Sequence, residues 1–452
     1  MPSRSHEIAP HENTESSIET LCRIEHPPGR SERTARRPGS TLLPDLAMTM
    51  TRRRGFDTRL VHVGERAAPR PARPTATPIY TSSTYLHDSM EGLDDAFATG
   101  DDFVYARHGN PTVAQLEAVV ADIEAGVGAT ACSSGMAALH LSVLAAATPR
   151  GESLPRWRGV LAARDLYGAT SRLVGGFFAA QGAEVHTADL TDLDAVEQLL
   201  ASHPIDVVVV EQISNPLLRV VDVRALANLA RSAKVRLVVD NTLASPVLEQ
   251  PLGLGADLCV HSATKFLGGH ADVTGGVVVA RTHMMFESLR TYSKLLGPVL
   301  GPFEASLVSR GIKTLGLRVR SQCASALAVA RWLDEHPAIA RVHYPGLPSH
   351  PQHTLATRAF GGLYGALVSC ELKDAGRAET MRFVNGLKLV LPATSLGDVY
   401  TLVTAPFVSS HRDLSAEDRA AQGIPDSLLR FSIGIETTED IVADIEQALA
   451  RL

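Results

Sequence analysis

The sequence lacks the patterns that mark several common classes of protein. No apolar run is long enough to span a bilayer, so we expect no membrane partner. The five cysteines of the 452-residue chain are scattered and show no CxxC spacing. This usage favours isolated thiols in a reducing compartment over a disulfide framework or a zinc site. We therefore expect a cytoplasmic protein.

Long basic stretches interleaved with aromatic residues are also missing. The formal net charge is -6, so we expect no nucleic-acid partner. Lysine is scarce, because arginine supplies most of the positive charge. Lys265 nevertheless lies within HSATKFLGGH, between hydroxyl residues and a pair of glycines. His261 and His270 of the same stretch have no third ligand nearby at metal spacing, so no metal site is expected.

The first fifty residues differ from the rest of the chain. Residues 1–50 are rich in Ser, Arg, Glu and Pro and nearly free of aromatics, which predicts disorder. They contain no apolar core of the kind found in secretory signals. Alternatively, Met48 or Met50 is the true start and the preceding segment is not native. The sequence leaves both alternatives open.

From about residue 110, short apolar runs alternate with amphipathic segments. The segment beginning at residue 111 predicts a helix with Thr112 as its cap and Gly126 as its stop. Continuous β-branched runs predict strands that are covered on both faces. These runs are RGVLAARD, IDVVVVEQ, VRLVVDN, DLCVHS and GGVVVAR. The alternation predicts an α/β unit with a mostly parallel sheet.

The pattern changes after about residue 305. Residues 306–336 predict one long helix that ends near His336 and Pro337. The runs GGLYGALVSCEL, ETMRFVNGLKLV and LLRFSIGIE then predict a smaller α+β domain, which ends in a helix capped by Thr437 or Thr438. The predicted plan is an amino-terminal extension (1–50), an arm (51–110), a large domain (111–305) and a carboxyl-terminal domain (306–452).

Polar residues follow several predicted strands, at the edge where parallel sheets bind ligands. SSGM opens a helix, and the free N–H groups of a helix start bind anions. Ser133, Gly135 and Met136 are therefore candidate phosphate-binding residues. Asp240 follows LVV, where burying a carboxylate is costly unless it meets a cation.

The hydroxyls of Ser262 and Thr264 stand beside Lys265, directly after DLCV. Each feature alone has an ordinary explanation: SSGM as a helix cap, Asp240 as the cap of a turn, and Lys265 as a solvated side chain. Together they meet the requirements of pyridoxal phosphate (PLP), which needs a lysine amine for its aldehyde, an acid for its ring nitrogen and donors for its phosphate. Arginine cannot replace the lysine, since it stays protonated.

At these positions the chain resembles the Cys/Met-metabolism PLP-dependent enzymes, a family that includes cystathionine γ-synthase, cystathionine γ-lyase, methionine γ-lyase and O-acetylhomoserine sulfhydrylase. The resemblance covers about residues 56 to 452. Its motifs are YARHGNPT, SSGMAAL, LYGAT, EQISNP, VDNTLASP, HSATKFLGGH, SLGD and LLRFSIGIE. It implies the type I fold of PLP-dependent transferases, with a large cofactor domain and a smaller α+β domain.

The resemblance also implies roles for single residues. Lys265 would form the Schiff base and shuttle protons, and Asp240 would pair with the pyridinium. Tyr167 would stack on the ring and supply a proton to the leaving group. The phosphate would be held by Gly135, Met136, Ser262 and Thr264, in addition to Ser133.

Other implied roles concern the substrate and the partner subunit. Tyr105 and Arg107 would reach the phosphate of a neighbouring subunit, so the site would be complete only in a homodimer. Two such dimers usually form a tetramer in this family. Asn215, Ser395 and Arg430 would bind the substrate carboxylate, for which the planar fork of arginine is suited.

The activity implied is γ-elimination or γ-replacement on a sulfur-containing or O-acyl-homoserine-type amino acid. One alternative is a β-eliminating lyase of cysteine conjugates, such as a cystathionine β-lyase. Two others are a PLP-fold protein that has lost catalysis and kept a binding role, and a phosphate-binding α/β protein without imine chemistry.

Several positions depart from the family pattern. Tyr400 stands where cystathionine-handling members often carry a glutamate, so it is a candidate substrate-binding residue in place of an acid. Ala169 stands where methionine γ-lyases usually have cysteine. Phe407 and Val408 are bulkier than the usual residues of their loop, where they either face the substrate or pack inside. These departures predict an unusual substrate.

Overall fold

A computed structural model of the chain describes residues 54–63, 74–152, 154–412 and 414–452, which belong to one compact unit. The predictions for residues 1–50 lie outside these residues. Within the described part of the chain, no helix has both the length and the apolar character needed to cross a membrane.

The larger sheet has seven strands in the order β1-β7-β6-β5-β4-β2-β3. The strands are β1 (Gly128–Cys132), β2 (Gly159–Ala163), β3 (Glu184–Ala188), β4 (Val207–Glu211), β5 (Arg236–Asp240), β6 (Leu258–Ser262) and β7 (Gly276–Ala280). Strand β7 runs antiparallel to β1 and β6, and every other pairing is parallel. The predicted mostly parallel α/β sheet is confirmed.

Burial explains why these runs form strands. All residues of β2, β4 and β7 are buried, because helices cover both faces of the sheet. The helices of this part are α1 (Phe56–His62), α2 (Met90–Thr99), α3 (Pro111–Ile123), α4 (Gly135–Ala147), α5 (Gly168–Arg172), α6 (Leu193–Ser202), α7 (Val223–Ser232), α8 (Ser245–Leu248), α9 (Pro251–Leu254) and α10 (His283–Leu296), with a π-helical turn at Leu173–Phe178.

The smaller sheet has the strand order β10-β11-β12-β9-β8. Its strands are β8 (Ile339–His343), β9 (Leu367–Leu372), β10 (Leu391–Pro392), β11 (Leu402–Thr404) and β12 (Leu428–Ser432). The helices of this part are α11 (Pro302–Ile312), α12 (Leu315–Glu335), α13 (His353–Phe360), α14 (Arg377–Gly386), α15 (Ala416–Ala421) and α16 (Thr438–Leu449). All pairings except β10 with β11 are antiparallel.

Helix α12 connects the two hydrophobic cores. Its first half places Leu315 and Val319 in the core of the larger sheet, and its second half places Val329 and Leu333 in the core of the smaller sheet. A helix shared in this way fixes the two sheets relative to each other. The predicted boundary between residues 305 and 306 stays a prediction.

Two predicted helix boundaries were wrong. The helix predicted over residues 306–336 is two helices, because the Gly311 carbonyl accepts hydrogen bonds from the Thr314 hydroxyl and the Arg318 guanidinium at the break. Helix α3 is capped by Asn110 rather than Thr112. The Asn110 side chain accepts from the next helical N–H groups, and Pro111 needs no acceptor at the first helical position.

A buried polar cluster joins the end of α3 to β6 and to the residue that follows β5. The His261 Nε2 lies 2.7 Å from the Glu124 Oε1, which also accepts a 3.0 Å hydrogen bond from Asn241. All three side chains are at most 1% exposed. Cys259 lies 3.5 Å from the same imidazole, so the sequence expectation that His261 has no further potential metal ligands nearby does not hold. Hydrogen bonds within the cluster already engage the Glu124 Oε1 atom.

Replacing Glu124 with alanine should destabilise the protein strongly. The change leaves the His261 imidazole and the Asn241 amide without their shared acceptor in the core, and the expected loss is about 3 kcal/mol. The thermal unfolding midpoint should fall by several degrees. Glu197→Ala is the matched control, since Glu197 is exposed on α6. Equal midpoints for the two variants would contradict this account.

Candidate active site

Acidic and hydroxyl side chains meet at the carboxyl edge of the larger sheet. Glu211 ends β4, Asp240 ends β5 and Ser262 ends β6. Glu211 and Asp240 are directly paired in the strand register. Because these strands are parallel neighbours, their ends lie at one edge, as the sequence predicted for Asp240 and Ser262.

The start of α4 packs closely against this edge. A Cβ atom on Gly135 would lie 2.7 Å from the Ser262 Cβ, and one on Gly276 would lie 2.1 Å from the Ser134 carbonyl oxygen. Only glycine therefore permits this approach of the helix start to β6 and β7. The Ser134 side chain caps α4 by accepting from the Ala137 N–H.

The cavity above this edge has a volume of about 570 Å³. Its lining includes most of the residues predicted from the sequence, namely Gly135, Met136, Tyr167, Asn215, Asp240, Ser262, Thr264, Lys265 and Arg430. Ser134 lines the cavity, whereas Ser133 is exposed outside the lining and donates its N–H to the Pro298 carbonyl.

Lys265 follows β6 and is partly buried at the cavity wall. Its Nζ donates a 3.2 Å hydrogen bond to the Ser395 hydroxyl. Burial lowers the pKa of Lys265, the nearby Arg430 charge lowers it further, and Asp398 opposes both effects. A lysine in this setting releases its proton more easily than one in water, which favours a nucleophilic or basic amine.

The two acids at the strand ends have raised pKa values. Burial is the main cause for both, and for Glu211 the charge of Asp240 adds to it. Hydrogen bonds from the N–H and hydroxyl of Thr242 partly offset the effect at Asp240. A cation bound against Asp240 would restore its ionised form. Glu211 follows a predicted strand but was given no role from the sequence.

Arg430 brings a buried guanidinium from β12 to the same cavity. It is 4% exposed and donates to the Asn215 side chain at 2.9 Å and to the Ser395 carbonyl at 3.0 Å. Its Nε has no hydrogen-bond partner, and no carboxylate pairs with it among the described residues. Burial lowers the pKa of Arg430 to about 10. An unpaired buried guanidinium is suited to a carboxylate ligand.

Tyr167 lies between β2 and α5 and is held by its backbone. Its N–H donates a 2.6 Å hydrogen bond to the Glu211 carboxylate, which gives that acid a positioning contact. The Tyr167 side chain is 44% exposed and faces the cavity, where it can cover a flat ligand.

Five predicted site residues lie outside the cavity lining of their own chain: Ser133 and Ser395, described above, and Tyr105, Arg107 and Tyr400. The Arg107 guanidinium lies over the Tyr105 ring, 5.4 Å from its centre, and donates to the Lys294 carbonyl. Neither residue lines the cavity, and Tyr105 is 41% exposed. Tyr400 is exposed and also absent from the lining.

Phe407 and Val408 were predicted either to face the substrate or to pack inside, and the structure places them differently. Phe407 is buried in the second core, with the Arg377 guanidinium 4.5 Å from its ring centre. Val408 is exposed to the cavity, together with Ser409, Ser410 and Arg412. No local pattern in the sequence points to Arg412, because its position depends on the path of the loop at 405–412.

The donor set fits pyridoxal phosphate. The close start of α4 and the Ser262 hydroxyl form a cradle for a phosphate, Lys265 offers an amine with a lowered pKa, and Asp240 offers an acid that needs a cation. Arg430 lines the same cavity as a buried guanidinium without a carboxylate partner in the described chain, which suits it to an amino-acid carboxylate.

Known proteins share this sequence and architecture. The chain is 40% identical over 400 residues to O-succinylhomoserine sulfhydrylase of Pseudomonas aeruginosa, covering 88% of this chain and 96% of that protein. It is 38% identical to L-methionine gamma-lyase of Fusobacterium nucleatum subsp. polymorphum, covering 89% of this chain and 100% of that protein.

A solved structure of a related enzyme is also similar to this chain in fold. The crystal structure of cystathionine gamma synthase from Xanthomonas oryzae pv. oryzae in complex with aminoacrylate and cysteine is similar, with a TM-score of 0.81 and 37% identity over 88% of this chain and 99% of that one. The family model described as Cys/Met metabolism PLP-dependent enzyme matches residues 57–450. The chain therefore belongs to the Cys/Met metabolism PLP-dependent enzyme family, and pyridoxal phosphate is its cofactor.

Proposed function

We propose that this enzyme cleaves the bond between Cγ of an amino acid and a sulfur or oxygen substituent, by γ-elimination or γ-replacement. The observation that carries the proposal is the joint placement of Lys265, Asp240 and Arg430 around one cavity. A protein that had lost catalysis would not need an amine, an acid and a carboxylate receptor in this arrangement.

The proposed substrate position follows from Arg430. Its guanidinium holds the substrate carboxylate, and Asn215 and the Ser395 carbonyl fix its orientation through their hydrogen bonds. The carboxylate of the amino acid thereby places Cα near Lys265. Bound pyridoxal phosphate withdraws electrons from Cα and so makes its proton acidic.

Proton transfers are assigned to two side chains. The Lys265 amine takes the proton from Cα and then takes one from Cβ. Its hydrogen bond to Ser395 keeps it near both carbons. The Tyr167 hydroxyl supplies a proton to the departing sulfur or oxygen. Asp240, ionised against a cationic ring nitrogen, keeps the cofactor protonated there.

Most of the relatives' names support a γ-substituent over a β-substituent. They describe a gamma-lyase, a gamma-synthase and a sulfhydrylase of an O-acyl-homoserine. β-Elimination of a cysteine conjugate is less favoured.

We also propose that the active unit is a cytoplasmic homodimer, two of which form a tetramer. The support comes from Tyr105 and Arg107, which lie outside the cavity lining of their own chain. In a dimer these residues would complete the phosphate site of the partner.

A product assay tests the reaction. The holoenzyme should convert O-acetyl-L-homoserine, O-succinyl-L-homoserine, L-methionine, L-cystathionine or L-homocysteine to 2-oxobutyrate and ammonia, or to a γ-replaced amino acid when a thiol is added. Chromatography of the products distinguishes 2-oxobutyrate from pyruvate. Pyruvate as the sole oxo acid, or no turnover of any γ-substituted amino acid, would contradict the proposal.

Arg430→Lys tests the carboxylate site. Lysine keeps the charge and loses the planar fork, so KM should rise about tenfold or more while bound cofactor keeps its visible absorption. Steady-state kinetics measure the change, and Arg382→Lys is the control because Arg382 is exposed on α14. An unchanged KM would contradict the assignment of Arg430 to the substrate carboxylate.

Subunit complementation tests the dimer. Lys265→Ala and Arg107→Ala should each be nearly inactive alone. Co-expression should restore about a quarter of wild-type activity, since half of the random two-fold dimers contain one intact site. The control pair is Lys265→Ala with Asp240→Ala, two residues of the same cavity, which should restore nothing. Absence of restoration in the first pair would show that Arg107 does not act across subunits.

A further inference from the structure

One of the cationic side chains that line the cavity has no role in the proposed function. Lys265, Arg412 and Arg430 are the cationic side chains of the described lining, and Asp240 and Glu211 are the acidic ones. In the proposed function, Lys265 takes the proton from Cα and Arg430 binds the α-carboxylate. Arg412 remains without a role.

The Arg412 side chain has no partner within the described residues. Its backbone N–H donates to the Ser409 carbonyl, but no hydrogen bond or ion pair is formed there by its guanidinium. The residue is exposed and lines the cavity. A free guanidinium at the mouth of an active site attracts anionic ligand groups.

The loop residues that precede Arg412 are anchored by packing and hydrogen bonds. Phe407 is buried, and the His411 N–H donates a 2.9 Å hydrogen bond to the Pro406 carbonyl. The Ser410 carbonyl lies so close to Gly168 that a Cβ there would be 2.6 Å away. These contacts fix the backbone that leads to Arg412, so the fold places this residue at the cavity.

Arg412 lies away from the phosphate cradle. The cradle is at β6 and α4, whereas the loop contacts Gly168, which follows β2 closely along the chain. Strands β6 and β2 are separated by three strand spacings, or about 14 Å. The cradle is assigned to the cofactor phosphate and Arg430 to the α-carboxylate, so Arg412 is left for a third anionic group.

We infer that Arg412 selects substrates whose γ-leaving group ends in a carboxylate, an inference that rests on the proposed function. In such a substrate the ester oxygen on Cγ leaves with the bonding electrons, and Arg412 holds the distal carboxylate of the departing dicarboxylate. The hydroxyls of Ser409 and Ser410 line the same wall.

Two esters that differ in the distal carboxylate test this inference. O-Succinyl-L-homoserine carries the carboxylate and O-acetyl-L-homoserine lacks it. The wild-type holoenzyme should show the higher kcat/KM with the succinyl ester. Arg412→Gln should lower this preference about tenfold or more, mainly through KM, because a charge-assisted contact made equally in the ground and transition states is lost.

The controls separate specificity from folding. Arg382→Gln removes the same charge from an exposed site on α14 and should leave both kcat/KM values unchanged. Arg412→Lys keeps the charge and should retain part of the preference. The thermal unfolding midpoint of Arg412→Gln should equal that of the wild type.

Four results would overturn the inference in different ways. Turnover of both esters with no preference for the succinyl ester, or a preference that Arg412→Gln does not change, would overturn the role of Arg412 alone. An equal loss with both esters would assign Arg412 a general structural role. Turnover of neither ester by the wild type would overturn the proposed γ-chemistry on such esters, and the inference with it.

Discussion

Burial of ionisable groups at one edge of the larger sheet is the constraint on which the site depends. Burial raises the pKa of Asp240 and Glu211 and lowers the pKa of Lys265 and Arg430. Each group is therefore stabilised by a ligand of opposite charge or by neutralisation. A cofactor with a cationic ring and a substrate with a carboxylate meet these needs together.

The fold brings these groups together from distant parts of the chain. Asp240 ends β5 and Lys265 follows β6 of the larger sheet, while Arg430 lies in β12 of the smaller sheet and Ser395 in the loop after β10. Helix α12 packs into both cores and fixes the two sheets relative to each other. The hydrogen bond from Lys265 to Ser395 crosses this junction, so packing far from the cavity sets the geometry of the amine.

Much of this could be predicted from the sequence, and some of it could not. Buried strands gave clear patterns because their β-branched runs are continuous, and the residues after them were placed correctly at one edge. The break before α12 was missed, since it depends on side-chain hydrogen bonds to the Gly311 carbonyl. Ser134 lines the cavity instead of Ser133, a one-residue difference that local pattern does not resolve.

The sequence by itself determined the cofactor motifs, because Lys265, Asp240 and the start of α4 each stand at a fixed offset from a strand that local composition reveals. Tertiary structure alone decided which side chains face the substrate. Phe407 packs inward while its neighbours on the same loop line the cavity, and Arg412 reaches the cavity without a partner in the described chain. The physical reason is that a loop's side-chain directions are set by long-range contacts, such as that between Gly168 and Ser410, which no local periodicity encodes.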